Sequence, residues 1–486
     1  MFSRVNSRII FLVLAAIGTI GISSGMAFDP PSIPGGKCVA DYFEAFNGGE
    51  EAMKGFILEC IAEQSLQQRT MERRLEMYRN MQSDFGQLRP DRVVRADSAT
   101  ATILVESGDK TWFTFSFQFE ALPPFKLLGI RIEEADPTIV DQPATPMAEQ
   151  EFLDSLGNRL DKMVESDEFS GVVLVAKKNV PIFQKAYGLA NKEFGVPNHI
   201  DTKFNLGSIN KLFTKVAIGQ LIQRNKMSFD DTLGRFLPDY PNPEARSKVT
   251  VDHLLNMTAG IGDFFGEKFD NTPKDRFRTN NDFLPMFDSL PLAFEPGSRN
   301  QYSNGGYALL GAIIETASGQ EYYDYIRDNI YRPAGMTNSD SYETDMPVAN
   351  LAEGYTRPEG DKEAPWRKNI YSRPARGSAA GGGYSTAEDL LRFIIALQKN
   401  TLLSPAYAEW LLTGKRPEAA GDKSAGKPDI APSMGIGVAG GAPGINAALE
   451  ADFSTGYTVI VLGNYDPPNA GRVAALARQW LTRVAK

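Results

Sequence analysis

The sequence predicts a protein of the α+β or α/β class, built from a small α+β domain followed by a larger domain. The chain has 486 residues, more than one ordinary domain requires. In its larger part, strand patterns lie near both ends and a long series of helical patterns lies between them. We therefore predict one antiparallel sheet that is made from both ends of the larger domain and flanked by helices, with a largely helical block inserted in the middle.

Residues 1–27 have the pattern of a secretory signal peptide. Arg4 and Arg8 precede an apolar run over residues 9–22, and Gly25 and Ala27 are the small residues expected just before a cleavage point. The apolar run is shorter than the ~20 residues of a membrane-spanning helix. We expect cleavage after Ala27, export to the periplasm or the medium, and no stable membrane span in the mature protein. An uncleaved N-terminal membrane anchor is the alternative.

Residues 28–133 are predicted to form the small α+β domain. Residues 38–81 are helical in pattern, and KLLGIRIEEA predicts a strand near the end of the domain. The stretch KTWFTFSFQFEA predicts another strand with one buried face, because its phenylalanines alternate with polar residues, at positions 113, 115, 117 and 119. Helices followed by a curved sheet resemble NTF2-like accessory domains, which would serve packing or the binding of a partner.

Cys38 and Cys60 are the only cysteines of the sequence, and both lie in the small domain. Export permits a disulfide between them, and two buried free thiols are the alternative. Together with His199 and His253 they do not make a convincing zinc site, and we expect no metal and no cofactor.

A linker over residues 134–147, rich in proline and without a clear period, is predicted to join the two domains.

Residues 148–486 are predicted to form the larger domain. A helix leads into a hairpin with strands GVVLVA and PIFQKAYG, and a second hairpin near the end of the chain has strands INAALEAD and YTVIVLGN. Helical patterns cover residues 211–225, 250–258, 304–317, 320–331, 385–399, 404–413 and 469–484. A cleft where the sheet meets the helices is the expected place for a functional site.

The stretch FNLGSINKLFTKVAIGQLIQRN, residues 204–225, places Ser208 and Lys211 at the start of an amphipathic helix. Residues three apart share a helix face, so the lysine is expected beside the serine hydroxyl. The free N–H groups of a helix start favour negative charge, and a desolvated lysine favours its neutral form, which can accept the serine proton. A helix-capping serine beside a solvated lysine is the plainer alternative, and Ser424 and Lys427 have the same spacing in a polar loop.

A second candidate pair is Tyr302 and Asn304, in the stretch RNQYSNGGYALLGAIIE just before an apolar helix. Two residues apart in an extended loop, their side chains point the same way. A phenol held near a lysine can serve as a base, and an asparagine amide can hydrogen-bond both a substrate carbonyl and the lysine. The alternative is an aromatic side chain that packs at the start of the helix.

Several stretches, in this order along the chain, resemble the serine hydrolase family of class C β-lactamases, D-alanyl-D-alanine carboxypeptidases and related esterases. They are FNLGSINKLFT, VTVDHLLNMTAGIGDFF, FEPGSRNQYSNGGYALLGAIIE, PAGMTNS, GSAAGGGYSTAEDLLRF and GVAGGAPGINA, and they span about residues 150–465. The resemblance implies a β-lactamase-like fold for the larger domain. It also implies Ser208 as the acylated nucleophile, Lys211 as its activating amine, Tyr302 as general base and acid, and Asn304 as the residue that orients substrate and lysine.

The sequence departs from this family at the third motif. Where the family has Lys-Thr-Gly or His-x-Gly on a strand along the cleft, this chain has Val438, Ala439 and Gly440. The glycines remain, so Gly440 and Gly441 are expected at the substrate, with the N–H of Gly441 joining that of Ser208 as an oxyanion hole. Without a positive side chain at position 438, substrates that carry a carboxylate are disfavoured and a neutral ester or amide is favoured.

The sequence as a whole predicts an exported serine hydrolase that acts through a covalent acyl-enzyme on an ester or amide, as an esterase, a D-amino-acid peptidase or a β-lactamase-like enzyme. Its partner would be a small-molecule or peptide substrate, since the net charge of −9 and the lack of a basic cluster argue against nucleic acid. A catalytically weak or silent ligand-binding or sensing protein on the same fold is the alternative, favoured by Val438. The glycine-rich GSAAGGGYS lacks the lysine of a phosphate loop and predicts a tight turn near the cleft.

Overall fold

The computed structural model describes residues 28–135 except 69 and 109, residue 137, and residues 146–358, 364–417 and 435–484. The chain divides into two compact units, residues 1–143 and 144–486. The predicted signal peptide, most of the predicted linker and the pair Ser424 and Lys427 lie outside the described residues. Within the described part of the chain, every helix is too short or too polar to cross a membrane.

The smaller unit consists of helices followed by a four-stranded antiparallel meander. The helices are α1 (Gly36–Gly48), α2 (Glu50–Cys60), α3 (Glu63–Gln68) and α4 (Met71–Phe85), and the strands are β1 (Arg89–Ala96), β2 (Thr100–Glu106), β3 (Trp112–Phe119) and β4 (Leu127–Glu134). The strands pair in chain order. Phe115, Phe117 and Phe119 of β3 are buried while Gln118 is exposed, so the alternation in the sequence correctly marks a strand with one buried face.

Strand β1 has no clear strand pattern in the sequence and was not predicted. It contains Pro90 and three arginines, and its register with β2 shifts after Pro90 and again after Val93. Proline, charged side chains and bulges are the features by which proteins protect the edge of a sheet. They also remove the alternation that would identify a strand in the sequence.

Cys38 of α1 and Cys60 at the end of α2 form a disulfide, and 22 positions separate them in the sequence. Asp41 lies beside them, and these three residues are the single group of possible metal ligands that the described residues bring together. Because both sulfurs belong to the S–S bond, neither is available as the thiolate that binds a metal ion.

A five-stranded antiparallel sheet lies at the centre of the larger unit, in the order β13-β14-β15-β5-β6. Strands β5 (Gly171–Lys177) and β6 (Val180–Tyr187) come from the start of the unit, and β13 (Gly435–Ala442), β14 (Ile445–Asp452) and β15 (Tyr457–Gly463) come from its end. The central strands β5 and β15 are buried along almost their whole length, as their continuous apolar sequences indicate. The prediction of one sheet from both ends of the domain is confirmed.

Helices α5 (Glu149–Glu165), α14 (Ala387–Gln398) and α16 (Asn469–Leu481) pack on this sheet. The inserted block contains the other helices, with 3₁₀ turns and one π-helical turn. They are the 3₁₀ turn Gly207–Asn210, α6 (Lys211–Gln223), α7 (Leu233–Phe236), α8 (Pro243–Lys248), α9 (Val251–Leu255), α10 (Glu267–Asp270), the 3₁₀ turns Lys274–Arg276 and Asn280–Met286, α11 (Asn304–Ser318), α12 (Tyr322–Ile326), the π turn Arg327–Tyr331, α13 (Arg332–Ala334) and α15 (Pro405–Thr413). Short strands pair as β7 (Leu189–Asn191) with β8 (Val196–Pro197), β9 (Phe204–Asn205) with β12 (Tyr384–Ser385), and β10 (Tyr355–Thr356) with β11 (Arg367–Lys368).

Helix α6 is buried on nearly every side, which corrects the prediction of an amphipathic helix. Lys215 and Gln223 are its two residues that are not buried. Its internal polar groups find partners in the core, since Thr214 donates to the carbonyl of Ala379 at 2.7 Å and Gln220 donates to two further carbonyls. A helix that is enclosed on all sides belongs to the core of a domain, and this position also buries Lys211.

Phe213 of α6 is fully buried and meets the rings of Tyr331 and Phe393 edge-on, at centroid distances of 5.1 and 5.0 Å. We expect Phe213→Ala to lower the free energy of unfolding of the larger unit by about 3–5 kcal/mol, because the lost ring leaves a cavity. Urea unfolding followed by tryptophan fluorescence measures the loss. Phe194 is 80% exposed and provides the matched control; Phe194→Ala should cost less than about 0.5 kcal/mol, and equal losses at the two positions would contradict this account of the core.

Candidate active site

Ser208 lies in the 3₁₀ turn that runs directly into α6, and Lys211 is the first residue of that helix. The Nζ of Lys211 donates to the Oγ of Ser208 at 3.1 Å, as their spacing predicted. Gly207, just before them, has φ +50°, and a Cβ there would lie 3.0 Å from the backbone N of Gly441 on β13. Glycine therefore lets the chain turn sharply at the point where it presents Ser208 to the edge of the sheet.

Lys211 is the centre of the hydrogen-bond network. Besides Ser208, its Nζ donates to the Oη of Tyr302 at 2.7 Å, the Oδ1 of Asn304 at 2.8 Å and the carbonyl of Ala380 at 2.6 Å. Its side chain is buried, and no carboxylate of the described residues lies within ion-pair distance of Nζ. Burial lowers the pKa of Lys211 to about 7, and the charge of Asp263 opposes that shift. Near neutral pH, a large share of the chains therefore carries a neutral amine against Ser208.

Tyr302 completes a triangle of hydrogen bonds, because its Oη lies 2.5 Å from the Oγ of Ser208 and 2.7 Å from Lys211. Half of the side chain is exposed, but the hydroxyl end is turned into the site. Burial raises the pKa of Tyr302, the bond from Ser208 partly offsets the rise, and the charge of Asp263 adds to it. The phenol is therefore protonated at neutral pH. Of the two groups that touch Ser208, the amine of Lys211 is the better proton acceptor, and the hydroxyl of Tyr302 is suited to relay a proton.

Asn304 is the first residue of α11, whose start is capped by the side chain of Ser303. Its Oδ1 accepts from Lys211, while its Nδ2 donates to Asp263 at 2.9 Å. Asp263 was not singled out in the sequence, although it lies in the stretch GIGDFF that contributed to the family resemblance. A single acidic residue in a loop has no periodic signal, so its position beside Asn304 becomes evident only in the fold.

Gly440 and Gly441 lie on β13, an edge strand of the sheet, next to the start of α6. A Cβ on Gly440 would lie 2.0 Å from the carbonyl oxygen of Leu206 and 2.8 Å from the N of Ser208. A two-residue loop joins β13 to β14, and the alternation of a hairpin ladder then directs the N–H of Gly441 away from β14. Gly441 and Ser208 line the same cavity, which makes their N–H groups the candidates for an oxyanion hole.

A cavity of about 690 Å³ opens at Ser208. Aromatic side chains form much of its wall, and they are Phe264, Phe265, Phe269, Phe283, Tyr302, Tyr342, Tyr371 and Tyr384. The glycine-rich stretch 377–382 forms another part, and Ser378 and Gly381 exchange backbone hydrogen bonds there, so the predicted tight turn near the cleft is confirmed.

Val438 is partly buried and packs on the core. His253 accepts from the N–H of Thr250 in a helix cap, away from this chemistry.

Residues 156–483 match the family model described as Beta-lactamase, and the chain belongs to this family. Penicillin-binding protein 4* of Bacillus subtilis is 31% identical over 259 residues, which cover 50% of this chain and 56% of that protein. Esterase EstB of Burkholderia gladioli is 30% identical over 302 residues, which cover 55% of this chain and 76% of the esterase. The family resemblance and the β-lactamase-like fold that the sequence predicted are both confirmed. The NTF2-like character of the smaller unit stays a prediction.

Solved structures of a penicillin-binding protein and of an amidase resemble this chain in fold. The penicillin-binding protein from Bacillus halodurans has a TM-score of 0.58 and 33% identity, with 66% of this chain and 99% of that chain covered. The D-amino acid amidase from Ochrobactrum anthropi has a TM-score of 0.54 at 22% identity, with 68% of this chain and 99% of the amidase covered. At that identity, the likeness to the amidase shows the fold alone.

The reactivity of Ser208 is expected to rise with pH through about 7 and to level off above, because the amine of Lys211 is protonated below its pKa and can accept the serine proton only above it. The rate of reaction with a fluorophosphonate, followed across neutral pH, measures this. Lys211→Ala should lower the plateau rate by ~100-fold or more. Lys215→Ala removes a partly buried lysine one turn further along α6 and should leave the rate nearly unchanged; a pH-independent wild-type rate would contradict the role of Lys211.

Gly440→Ala is expected to lower the same rate by ~100-fold or more, as the loss of an oxyanion donor does, because the added Cβ must push β13 away from Ser208. Gly437→Ala is the matched control, since it lies on the same strand and a Cβ there meets nothing within 4 Å. Circular dichroism checks that both variants are folded. Full reactivity in a folded Gly440→Ala variant would exclude this arrangement of the oxyanion hole.

Proposed function

We propose that this member of the beta-lactamase family is a serine hydrolase that forms an acyl-enzyme at Ser208 and acts on neutral esters or amides with an apolar group. The observation that carries the proposal is the buried Lys211, which contacts the hydroxyl of Ser208 and has a pKa lowered to about 7, while Ser208 itself lines a cavity. A serine becomes nucleophilic when a neighbouring base takes its proton. Lys211 provides that base.

In the proposed reaction, the Oγ of Ser208 attacks the substrate carbonyl while its proton passes to the Lys211 amine, directly or through the hydroxyl of Tyr302. The oxygen of the carbonyl becomes an oxyanion that receives hydrogen bonds from the N–H groups of Ser208 and Gly441. The proton then returns from Lys211 through Tyr302 to the leaving alkoxide or amine, which departs and leaves an ester on Ser208. Water, deprotonated by the same groups, attacks this ester and releases the acid.

The cavity supports a neutral substrate with an apolar group. Aromatic rings form much of its wall, and such surfaces bind apolar groups. Of its lining cations, Lys274 donates to backbone carbonyls, and Arg376 donates to the carbonyl of Ser341 and stacks on the ring of Tyr323 at 3.6 Å. These two charges are already partnered within the protein. Arg373 also lines the cavity, and its Nη1 donates to the hydroxyl of Tyr384 at 3.0 Å. Because its positive charge could bind a carboxylate, a substrate that carries a carboxylate is the comparison to make with a neutral one.

Export is part of the proposal. A signal peptide over residues 1–27 would deliver the protein to the periplasm or the medium, and the disulfide between Cys38 and Cys60 suits an oxidising compartment. The relatives named above include an esterase and penicillin-binding proteins, and Escherichia coli has a putative D-alanyl-D-alanine carboxypeptidase that is 29% identical over 209 residues. Acyl transfer to a serine is compatible with all of these names.

A second candidate is a ligand-binding or sensing protein that acylates slowly or not at all. The observation that favours it is Val438, which occupies the position where the family pattern has a lysine or histidine. On this alternative, the loss of that charge leaves substrate binding intact and removes turnover.

The test of the proposed function is turnover of a matched pair of aryl esters, one with a neutral aromatic acyl group and one with a carboxylate on the same ring. We expect the neutral ester to be hydrolysed at least ~10-fold faster, and Ser208→Ala to fall to the uncatalysed rate. Ser372→Ala, which changes another serine that lines the cavity, should retain activity. A folded wild-type chain that hydrolyses neither ester would support the second candidate instead.

A further inference from the structure

Asp263 is a charged residue at the active site to which the reaction steps above assign no role. Its Oδ2 accepts from the backbone N–H of Asn304 at 3.0 Å and from the Nδ2 of the same residue at 2.9 Å, and its Oδ1 accepts from the N–H of Phe265 at 3.0 Å. The carboxylate also lies at the N-terminus of the 15-residue helix α11, where the helix dipole favours negative charge. Asp263 is thus held in one place by three donors.

This carboxylate determines which way the amide of Asn304 points. A carboxylate can only accept hydrogen bonds and an ammonium group can only donate them. Asn304 lies between Asp263 and Lys211, so its Nδ2 must face the carboxylate and its Oδ1 must face the amine. The reverse orientation would place the carbonyl oxygen of Asn304 against the carboxylate of Asp263 and its NH₂ against the ammonium of Lys211. The observed contact of 2.8 Å between Oδ1 and Nζ is the result.

We propose that Asp263 is a positioning residue that acts through Asn304: it locks the amide so that its oxygen holds Lys211 against Ser208, and its negative charge sets the pH at which the site becomes reactive. The proposal rests on the proposed function, since it concerns the proton acceptor of the same reaction. No covalent step involves Asp263, which touches Asn304 and not the reacting atoms.

The groups that face Lys211 support an electrostatic role for this residue. Tyr302 and Tyr307 present their rings to Nζ, at 4.8 and 5.4 Å from the centroids, and burial raises the pKa of both, so they are neutral. Lys215 lies one turn further along α6, where burial lowers its pKa. Among the described residues, Asp263 is therefore the negative charge that favours the protonated form of Lys211. It opposes the lowering of the Lys211 pKa that burial causes.

Removal of the charge of Asp263 should change the pKa of Lys211 in a definite direction. A negative charge near an amine favours its protonated form, so removal of the charge of Asp263 lowers the pKa of Lys211. The neutral amine, which is the reactive form, then becomes populated at lower pH. A merely structural role for Asp263 would lower the rate at every pH and would leave the midpoint of the profile where it is.

The experiment measures the rate of fluorophosphonate reaction against pH for the full chain and for Asp263→Asn and Asp263→Ser, which both keep an acceptor for Asn304 and remove the charge. We expect the midpoint to move to lower pH by about one unit and the plateau rate to fall several-fold. Asp263→Glu keeps the charge and should retain the midpoint with a lower plateau. Glu267→Gln removes an exposed acid of α10 that does not line the cavity and should change neither quantity.

The outcomes separate this inference from the proposed function. A wild-type chain that does not react at Ser208 would contradict the proposed function itself. A reactive wild-type chain together with folded neutral variants that keep its midpoint would overturn the role of Asp263. Because two neutral variants are measured, loss of the fold in one of them leaves the test intact in the other.

Discussion

The burial of the Lys211 amine among neutral oxygens is the constraint on which the rest of the site depends. An ammonium group loses its hydration when it is enclosed, and without a carboxylate in direct contact it is not fully compensated. Here four oxygens surround Nζ, and the amide of Asn304 separates it from the carboxylate of Asp263. The result is an amine whose pKa is lowered to about 7. The same contacts that solvate the ammonium form also hold the neutral form against the hydroxyl of Ser208.

The position of that amine follows from the fold of the larger unit. Helix α6 is enclosed by the core on nearly every side, so its first residue cannot turn to solvent. The central sheet joins strands from both ends of the unit, and this brings the edge strand β13 to the start of α6. Gly207 and Gly440 permit the close approach of the two backbones, which side chains would prevent. Packing thus buries the amine of Lys211 and brings β13 against the turn that carries Ser208.

Local spacing made much of this site predictable. Ser208 and Lys211 are three residues apart on a helix, and Tyr302 and Asn304 are two apart in an extended segment, so each pair shares a side. The strands of the sheet were evident from their apolar runs. The contribution of Ala380 was not, because a backbone carbonyl has no sequence signature, and Asp263 lay in a loop without a period. The burial of α6 was also missed, since it depends on the helices and strands that surround it and not on its own pattern.

The central claim is that Lys211 makes the hydroxyl of Ser208 nucleophilic. The most direct measurement is the intact mass of the purified chain over residues 28–486 after incubation with a fluorophosphonate, followed by peptide mapping of any adduct. The account predicts a single adduct on Ser208 that is absent from Ser208→Ala and forms far more slowly in Lys211→Ala. A folded wild-type chain that gains no mass, or an adduct that remains in the Ser208→Ala variant, would contradict it.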